Sequence, residues 1–263
     1  MPALKISKKY NKKLIYDIYD YYVDSHNVPS IIKDVLEKQE IKIINNADTT
    51  IICGEWRKEQ IKKAKPRNLV IIHNSPNIDY NAINGRTGII KSDSDRVKIA
   101  YVGILQEGRL LKEVADAISE NSDLELHVGG FGKFQDYFED LSKKYENIYF
   151  YGTMKYDDVL KLESECDILF ATYNPIVKNH KFSAPNKVYE AMALKKPIIV
   201  CKNTGIDRFV LKNNLGLAIE YNSLDFIKTV KSIKKHSKID SLDMFNKKYS
   251  WNQMEKIIDS IYR

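Results

Sequence analysis

The residue types best suited to binding chemistry lie in the segment FSAPNKVYEAMA, which runs from Phe182 to Ala193. A loop with a proline leads there into a predicted helix whose first turn carries Lys187 and Glu190. Because residues three apart lie on one face of a helix, these two side chains can act together. A carboxylate at this place can accept two hydrogen bonds from ribose hydroxyls, while the lysine meets phosphate oxygens. The alternative is a plain ion pair on a helix surface.

Two segments with glycines provide a second set of candidates. Gly103 follows the apolar run VKIAYV, and Arg109 comes shortly after it. Gly130, Phe131 and Gly132 follow the apolar run LELHV. Backbone N–H groups at the start of a helix attract phosphate, and an arginine can supply the counter-charge. Ordinary turns between a strand and a helix explain the same pattern, but two of them at one edge of a sheet are stronger evidence than one.

The elements that must position these residues alternate regularly from about Arg96 onward. The predicted strands are 97–102, 124–128, 148–151, 168–171, 197–201 and 217–219. Segments of helical periodicity separate them, which predicts a parallel sheet with helices on both faces. Ligands in such sheets bind outside the carboxyl ends of the strands. We therefore expect both glycine segments and Glu190 to share one edge of this sheet.

The first 95 residues follow a different pattern. Three apolar runs, 14–19, 49–53 and 69–73, resemble strands, and 31–44 has helical periodicity. Residues 74–95 are rich in Asn, Gly, Ser, Asp and Pro, which is typical of a linker. The domains that we expect are a first domain at 1–80, a linker at 81–95, a second domain at 96–242 and a last helical segment at 243–263.

Composition limits the classes of function. The 263 residues are 43% hydrophobic and carry a formal net charge of +7, which excludes a disordered chain and favours anionic partners. No DNA- or RNA-binding motif accompanies this charge. The three cysteines and five histidines have no metal-ligand spacing, so we expect no metal site, and the cysteines form no convincing disulfide framework. A cytoplasmic location is expected because the sequence has neither an apolar run of about 20 residues nor the apolar centre of a secretion signal.

A series of motifs also follows a recognisable order: VG…GR, VGGFG, FYGTM, DILFATY, APNKVYEAMALKKPIIV and YSW. This order resembles the nucleotide-binding domain of family 4 glycosyltransferases, also called group 1 glycosyltransferases, which have the GT-B fold. The resemblance extends over roughly Val97 to Arg263, and PNKVYEAMALKKPII is its most distinctive stretch.

The resemblance implies a site for a nucleotide-sugar donor. Glu190 would bind the ribose, the glycine segments would lie against the diphosphate or sugar, and the segment after Gly152 would lie beside the nucleobase. The donor-binding residues that we predict are Gly103, Arg109, Gly130, Phe131, Gly132, Thr153, Met154, Asn186, Lys187 and Glu190.

The chain departs from the family pattern at two places. Many members have an arginine directly after the first glycine and a lysine before the second, whereas this chain has Ile104 and, one position late, Arg109. Lys187 is our candidate for the missing phosphate-binding charge. The E-x7-E pattern of the family would put a glutamate at position 182, where this chain has Phe182. That departure concerns the donor sugar and not the nucleotide.

The first 80 residues resemble the second half of the acceptor domain of this family, in the motifs KYNKKLIYDIYDYY, EIKIINNADTTIICGEWRKEQI and NLVIIHNSPN. The strands that open this domain in the family have no counterpart, so we expect a partial Rossmann-like domain. Where many members place a histidine facing the donor sugar, the sequence reads Asp17-Ile18-Tyr19-Asp20. Asp20 is our candidate catalytic residue, which would orient an acceptor hydroxyl. A helix cap or an ion-pair partner is the alternative.

The fold class expected is therefore α/β and GT-B-like, with a partial N-terminal domain, a complete C-terminal Rossmann-like domain and a terminal helix at 252–262 that returns to the first domain. The resemblance implies retaining, metal-independent transfer of a sugar from a nucleotide diphosphate sugar to a glycan or lipid-linked saccharide, as in polysaccharide biosynthesis, with no cofactor. The alternatives are a non-catalytic nucleotide-sugar-binding module, a subunit that needs a partner chain, and a sugar-nucleotide epimerase.

Two interactions beyond the substrates are considered. An incomplete first domain exposes strand edges, which favours self-association or a partner chain. The other is peripheral contact with an anionic membrane surface, made by Lys5, Lys8, Lys9, Lys12 and Lys13. The alternative is that these lysines form a helix face exposed to water.

Overall fold

The computed structural model describes residues 1–26 and 28–262, which form two lobes with one parallel sheet each. Arg263, the last residue of the predicted C-terminal segment, lies outside the described residues, as does Asn27. The α/β class expected from the alternation of apolar runs is confirmed.

The first lobe has three short strands in the order β1-β2-β3 within its described part. They are β1 (Ile15–Asp17), β2 (Thr49–Ile52) and β3 (Leu69–Ile71). The helices of this part of the chain are α1 (Pro2–Tyr10), α2 (Tyr22–Ser25), α3 (Ser30–Asn46), α4 (Arg57–Gln60) and α5 (Tyr80–Asn84). A small core of apolar side chains, with Ile44 and Ile52 fully buried, joins α3 to the sheet.

The second lobe has a six-stranded sheet in the order β6-β5-β4-β7-β8-β9. Its strands are β4 (Val97–Ile104), β5 (Leu124–Phe131), β6 (Ile148–Phe150), β7 (Ile168–Ala171), β8 (Ile198–Cys201) and β9 (Gly216–Ile219). Its helices are α6 (Leu111–Ser119), α7 (Gln135–Lys144), α8 (Tyr156–Glu165), α9 (Asn186–Leu194), α10 (Ile206–Lys212) and α11 (Ser223–Ser232). Every residue of β7 and β8 is buried, because helices cover both faces of the sheet.

The chain ends with a short helix α12 (Leu242–Met244), a π-helical turn (Phe245–Tyr249) and α13 (Trp251–Tyr262). α13 buries Met254 and Ile261, which are seven residues apart and lie on one face. The backbone N–H of His73 in the first lobe donates to Met254 Sδ at 3.1 Å. The last helix therefore returns to the first lobe, as the resemblance implies.

The segment expected to be a linker lies against the second lobe. Arg86 pairs with Asp157 and Asp158 at the start of α8, with N···O distances of 2.8 and 2.5 Å. The N–H groups of Ile89 and Ile90 both donate to one carboxylate oxygen of Glu165, at the end of the same helix.

None of the helices in the described ranges is both long enough and apolar enough to span a bilayer.

Candidate functional site

The strand order places a crevice at the carboxyl ends of β4 and β7. The chain continues from β4 to β5 on one side, while β7 pairs with β4 on the other side. In a parallel sheet this reversal leaves room for a ligand between the two outgoing loops.

The glycine segments lie side by side, but the strands extend further than the sequence predicted. β4 and β5 continue through the glycines, and Gly103 pairs with Gly130 while Ile104 pairs with Phe131. Gly130 has a φ of +132°, and a Cβ there would lie 1.8 Å from the carbonyl oxygen of Gly103. The predicted strand ends before Gly103 and Gly129 were therefore wrong, because glycine here allows the two backbones to pair rather than ending the strands.

The loop between β6 and α8 lies against the second glycine segment. The N–H of Gly130 donates to the carbonyl of Gly152 at 2.7 Å. The sulfur of Met154 occupies the space beside Gly129, where a Cβ would come within 2.7 Å of it. Thr153 and Phe131 are exposed at the rim. The segment that the resemblance assigns to a nucleobase thus adjoins the glycines.

Arg109 lies where the loops after β4 and β7 meet. Its guanidinium carbon is 4.1 Å from the centre of the Tyr173 ring, a cation–π contact. The carbonyl of Arg109 accepts a hydrogen bond from Thr172, and the N–H of Asn174 donates to Gly108 at 2.9 Å. These contacts fix the loop that carries Arg109, so its charge is held beside the crevice.

Glu190 is nearly buried on α9, with 4% of its surface exposed. The hydroxyl of Tyr156 donates to Glu190 Oε1 at 2.9 Å. Burial and the negative charge of Glu190 raise the pKa of Tyr156 above its usual range, so the phenol stays a donor. Tyr156 itself is 43% exposed at the start of α8 and links the buried Glu190 to a solvent-exposed side chain.

Lys187 is also buried, and it pairs within the protein. Its Nζ lies 2.6 Å from Glu163 Oε1 and 3.7 Å from Glu190 Oε2. Burial alone would lower the pKa of Lys187, but the two carboxylates outweigh that effect and raise it. Burial also raises the pKa of Glu163, whose Oε2 has no hydrogen-bond partner within the described residues.

The remaining predicted residues lie towards the first lobe. Asn186 is exposed at the start of α9 and lines a cavity of about 400 Å³ between the lobes, together with Asp17 and residues of α13. Asp20 lies 3.6 Å from Arg57, an ion pair with a carboxylate that is 37% exposed. Asp20 is thus an ion-pair partner, and the exposed part of its carboxylate faces solvent.

Two residues of the first lobe contact the loop before α9. The indole Nε1 of Trp56 lies 3.1 Å from the carbonyl of Ser183 and 3.3 Å from that of Phe182. The guanidinium of Arg57 also donates to the carbonyl of Phe182, at 3.1 Å. Both side chains are buried, so the loop that leads to Lys187 is fixed by the opposite lobe.

Sequence reasoning did not select Trp56, Arg57, Tyr156 or Glu163. For Glu163 a signal exists, because it lies one helical turn after Val159 and Leu160, on the buried face of α8. A carboxylate on an apolar face requires a buried partner. The contacts of Trp56 and Arg57 with the loop before α9 depend on how the two lobes pack, and no local sequence pattern predicts that packing.

Comparisons with known proteins agree with this arrangement. The family described as "Glycosyl transferases group 1" has a model that matches residues 96–235. That range contains every donor-binding residue predicted above. None of the curated proteins matches the chain.

Solved structures resemble the whole chain at low sequence identity. Sucrose-phosphate synthase from Thermosynechococcus elongatus matches with a TM-score of 0.74 and 15% identity, over 98% of this chain and 69% of that protein. HepE from Anabaena, solved with UDP, matches with a TM-score of 0.75 and 14% identity, over 98% and 74%. A glycosyltransferase from Rickettsia africae has a TM-score of 0.69 and 16% identity, over 98% and 78%. At such identity the matches show a shared fold, which is the GT-B arrangement of two lobes.

Proposed function

The chain belongs to the group 1 glycosyltransferases and is a transferase enzyme of that family, and we propose that it transfers a sugar from a nucleotide diphosphate sugar to a saccharide acceptor. The observation that carries this proposal is that the paired glycines Gly103 and Gly130, the loop with Arg109 and the start of α9, which carries Glu190, all follow the carboxyl ends of strands in one parallel sheet.

Each group has a role that its chemistry supports. Arg109 and the backbone N–H groups near Gly103 and Gly132 would bind the diphosphate, and Glu190 would accept hydrogen bonds from the ribose. Negative charge grows on the diphosphate as the bond to the sugar breaks. Groups that are already fixed around this charge lower the barrier, because they need not reorganise during the reaction. Thr153 and Met154 would lie beside the base.

The acceptor would approach from the first lobe. Asp20, three residues after β1, keeps a carboxylate that is 37% exposed beside Arg57, and we propose that it orients an acceptor hydroxyl. Phe182 lies where the family pattern has a glutamate, so the contact with the donor sugar would be apolar at that point. We propose retention of the anomeric configuration, no required metal or cofactor, and a glycan or lipid-linked acceptor. A cytoplasmic location is part of the proposal.

Peripheral contact with an anionic membrane also stays a proposal. The lysines that would make it are all exposed, on α1 and directly after it: Lys5, Lys8, Lys9, Lys12 and Lys13. Each can contribute roughly 1 kcal/mol near an anionic surface.

Calorimetry with nucleoside diphosphates tests the donor site. UDP is the first ligand to try, because the similar HepE structure contains it, and ADP and GDP follow. Glu190→Ala removes two hydrogen bonds to the ribose, and we expect it to weaken binding by about 1–3 kcal/mol. Glu139→Ala, at an exposed position of α7, is the matched control and should bind as the wild type does. Equal affinities in all three proteins would refute the assignment of Glu190.

A binding module without transfer activity is the second candidate, favoured by Phe182 in place of the expected glutamate. Incubation of the chain with radiolabelled nucleotide sugar, with and without saccharide acceptors, separates the candidates. A transferase produces a labelled glycoside only when the acceptor is present, and it does so in EDTA. A binding module leaves the nucleotide sugar intact, whereas an epimerase alters it without an acceptor.

A further inference from the structure

The position of Lys187 raises the question of what its ammonium group does. The Lys187 side chain is 8% exposed, and its Nζ donates at 2.6 Å to Glu163 Oε1, on a side chain of α8 that is fully buried. The Tyr101 ring lies 5.6 Å away on a third side. Lys187 is therefore enclosed by its own lobe rather than directed at open solvent.

Charge balance shows why Lys187 stays there. If its side chain rotated towards a diphosphate, Glu163 would remain buried without any cation. A buried pair that loses one partner is strongly destabilised, because the charge left behind has neither water nor a counter-ion. The unpartnered Glu163 Oε2 shows that this carboxylate already has few partners in the described part of the chain.

The arrangement instead acts on Glu190. Lys187 approaches Glu190 Oε2 to 3.7 Å, while Tyr156 donates to Glu190 Oε1 at 2.9 Å. The carboxylate is thus held from two sides, and Glu163 fixes the lysine that holds it. Buried ion pairs often have no stability advantage over apolar residues of similar size, so stability alone does not account for this cluster of charges.

We infer that Lys187 is a positioning residue, which together with Glu163 orients Glu190 towards the donor ribose, and that it does not contact the diphosphate. This inference rests on the proposed donor site and replaces the phosphate-binding role that the sequence suggested for Lys187. It leaves Arg109 as the side chain that recognises the diphosphate.

Two affinity ratios distinguish the roles. The ratio between a nucleoside diphosphate and its 2′-deoxy analogue reports the hydrogen bonds to the ribose. The ratio between the diphosphate and the monophosphate reports contacts with the second phosphate. Calorimetry with UDP, ADP, GDP, their 2′-deoxy analogues and their monophosphates gives both ratios for the full chain.

We expect the wild type to prefer the ribonucleotide by roughly tenfold, since a charged group accepts the hydrogen bond. Lys187→Met should bring this ratio close to one and leave the preference for diphosphate over monophosphate unchanged. Arg109→Gln should have the opposite pattern. A merely structural role for Lys187 would weaken all ligands equally and leave both ratios unchanged, which would overturn the inference, as would a loss of the diphosphate preference alone.

Two further arms keep the test decisive. If Lys187→Met does not fold, the double substitution Glu163→Gln with Lys187→Met removes the unpaired buried charge, and the same loss of the ribose ratio is expected. If the wild type binds none of the nucleoside diphosphates, the proposed donor site itself fails, and the inference about Lys187 fails with it. Binding with a ribose ratio that Lys187→Met does not change refutes only the inference.

Discussion

The paired glycines of β4 and β5 should respond very differently to substitution by alanine. Gly130→Ala forces an alanine into a φ of +132° and places its Cβ 1.8 Å from the Gly103 carbonyl oxygen. The conformational strain costs about 1–3 kcal/mol. The clash must also separate the two strands and weaken a ladder hydrogen bond worth about 1 kcal/mol. We expect a total loss of about 2–4 kcal/mol in the free energy of unfolding.

Gly103→Ala is the matched control. A Cβ at Gly103 would have its nearest neighbour, the Tyr101 hydroxyl oxygen, at 3.4 Å, which is an ordinary contact. We expect its free energy of unfolding to change by less than about 1 kcal/mol. Because a chain of this size loses about 2–4 °C in Tm for each kcal/mol, thermal melts should separate the two variants clearly. Equal Tm values would refute the conclusion that the close approach of the two backbones requires glycine at position 130.

Three further predictions address stability and assembly. Burial lowers the pKa of His73 from 6.5 to about 4, so the unfolded chain binds the proton more tightly than the folded chain does. The free energy of unfolding should therefore fall as the pH is lowered from 6.5 towards 4. Urea titrations of His73→Gln over the same pH range should show a smaller fall. Trp56→Phe removes the indole donor to the Ser183 and Phe182 carbonyls and should cost about 0.5–1.5 kcal/mol in urea unfolding. No change would mean that the indole hydrogen bonds add nothing to the docking of the lobes. The small sheet β1-β2-β3 leaves strand edges that can pair with another chain, so we expect self-association through residues 10–75 and weak sugar transfer. A monodisperse monomer in sedimentation together with robust turnover would contradict this expectation.

The parallel sheet of the second lobe was predictable because its strands are short apolar runs that helices cover on both sides. The ends of β4 and β5 were not predictable in the same way. Glycine in a sequence is typical of a turn, and only the pairing of Gly103 with Gly130 shows that both remain in the ladder. The turn tendency of these glycines is overridden by the pairing of β4 with β5, and the residues around each glycine do not show which strand it will pair with.

The site was predictable to a similar degree. The spacing of Lys187 and Glu190 correctly places them on one face of α9, since that spacing is a property of the helix itself. The partner that determines the environment of Lys187 is Glu163, which is 24 residues earlier on another helix. Contacts between residues of one helix follow from their spacing in the sequence, whereas contacts between two helices depend on how the chain folds.

The contacts between Trp56, Arg57 and the loop before α9 have a consequence for the enzyme as a whole. The first lobe also contacts α9 itself: a ring nitrogen of His73 lies 2.7 Å from the hydroxyl of Tyr189, the residue before Glu190. Any rotation of the first lobe must therefore displace the start of α9. Thermodynamic linkage is reciprocal: if a donor bound at Glu190 favours one position of the first lobe, an acceptor that favours the same position strengthens the binding of the donor. The two substrates are thus expected to bind cooperatively, although they need not touch the same side chain.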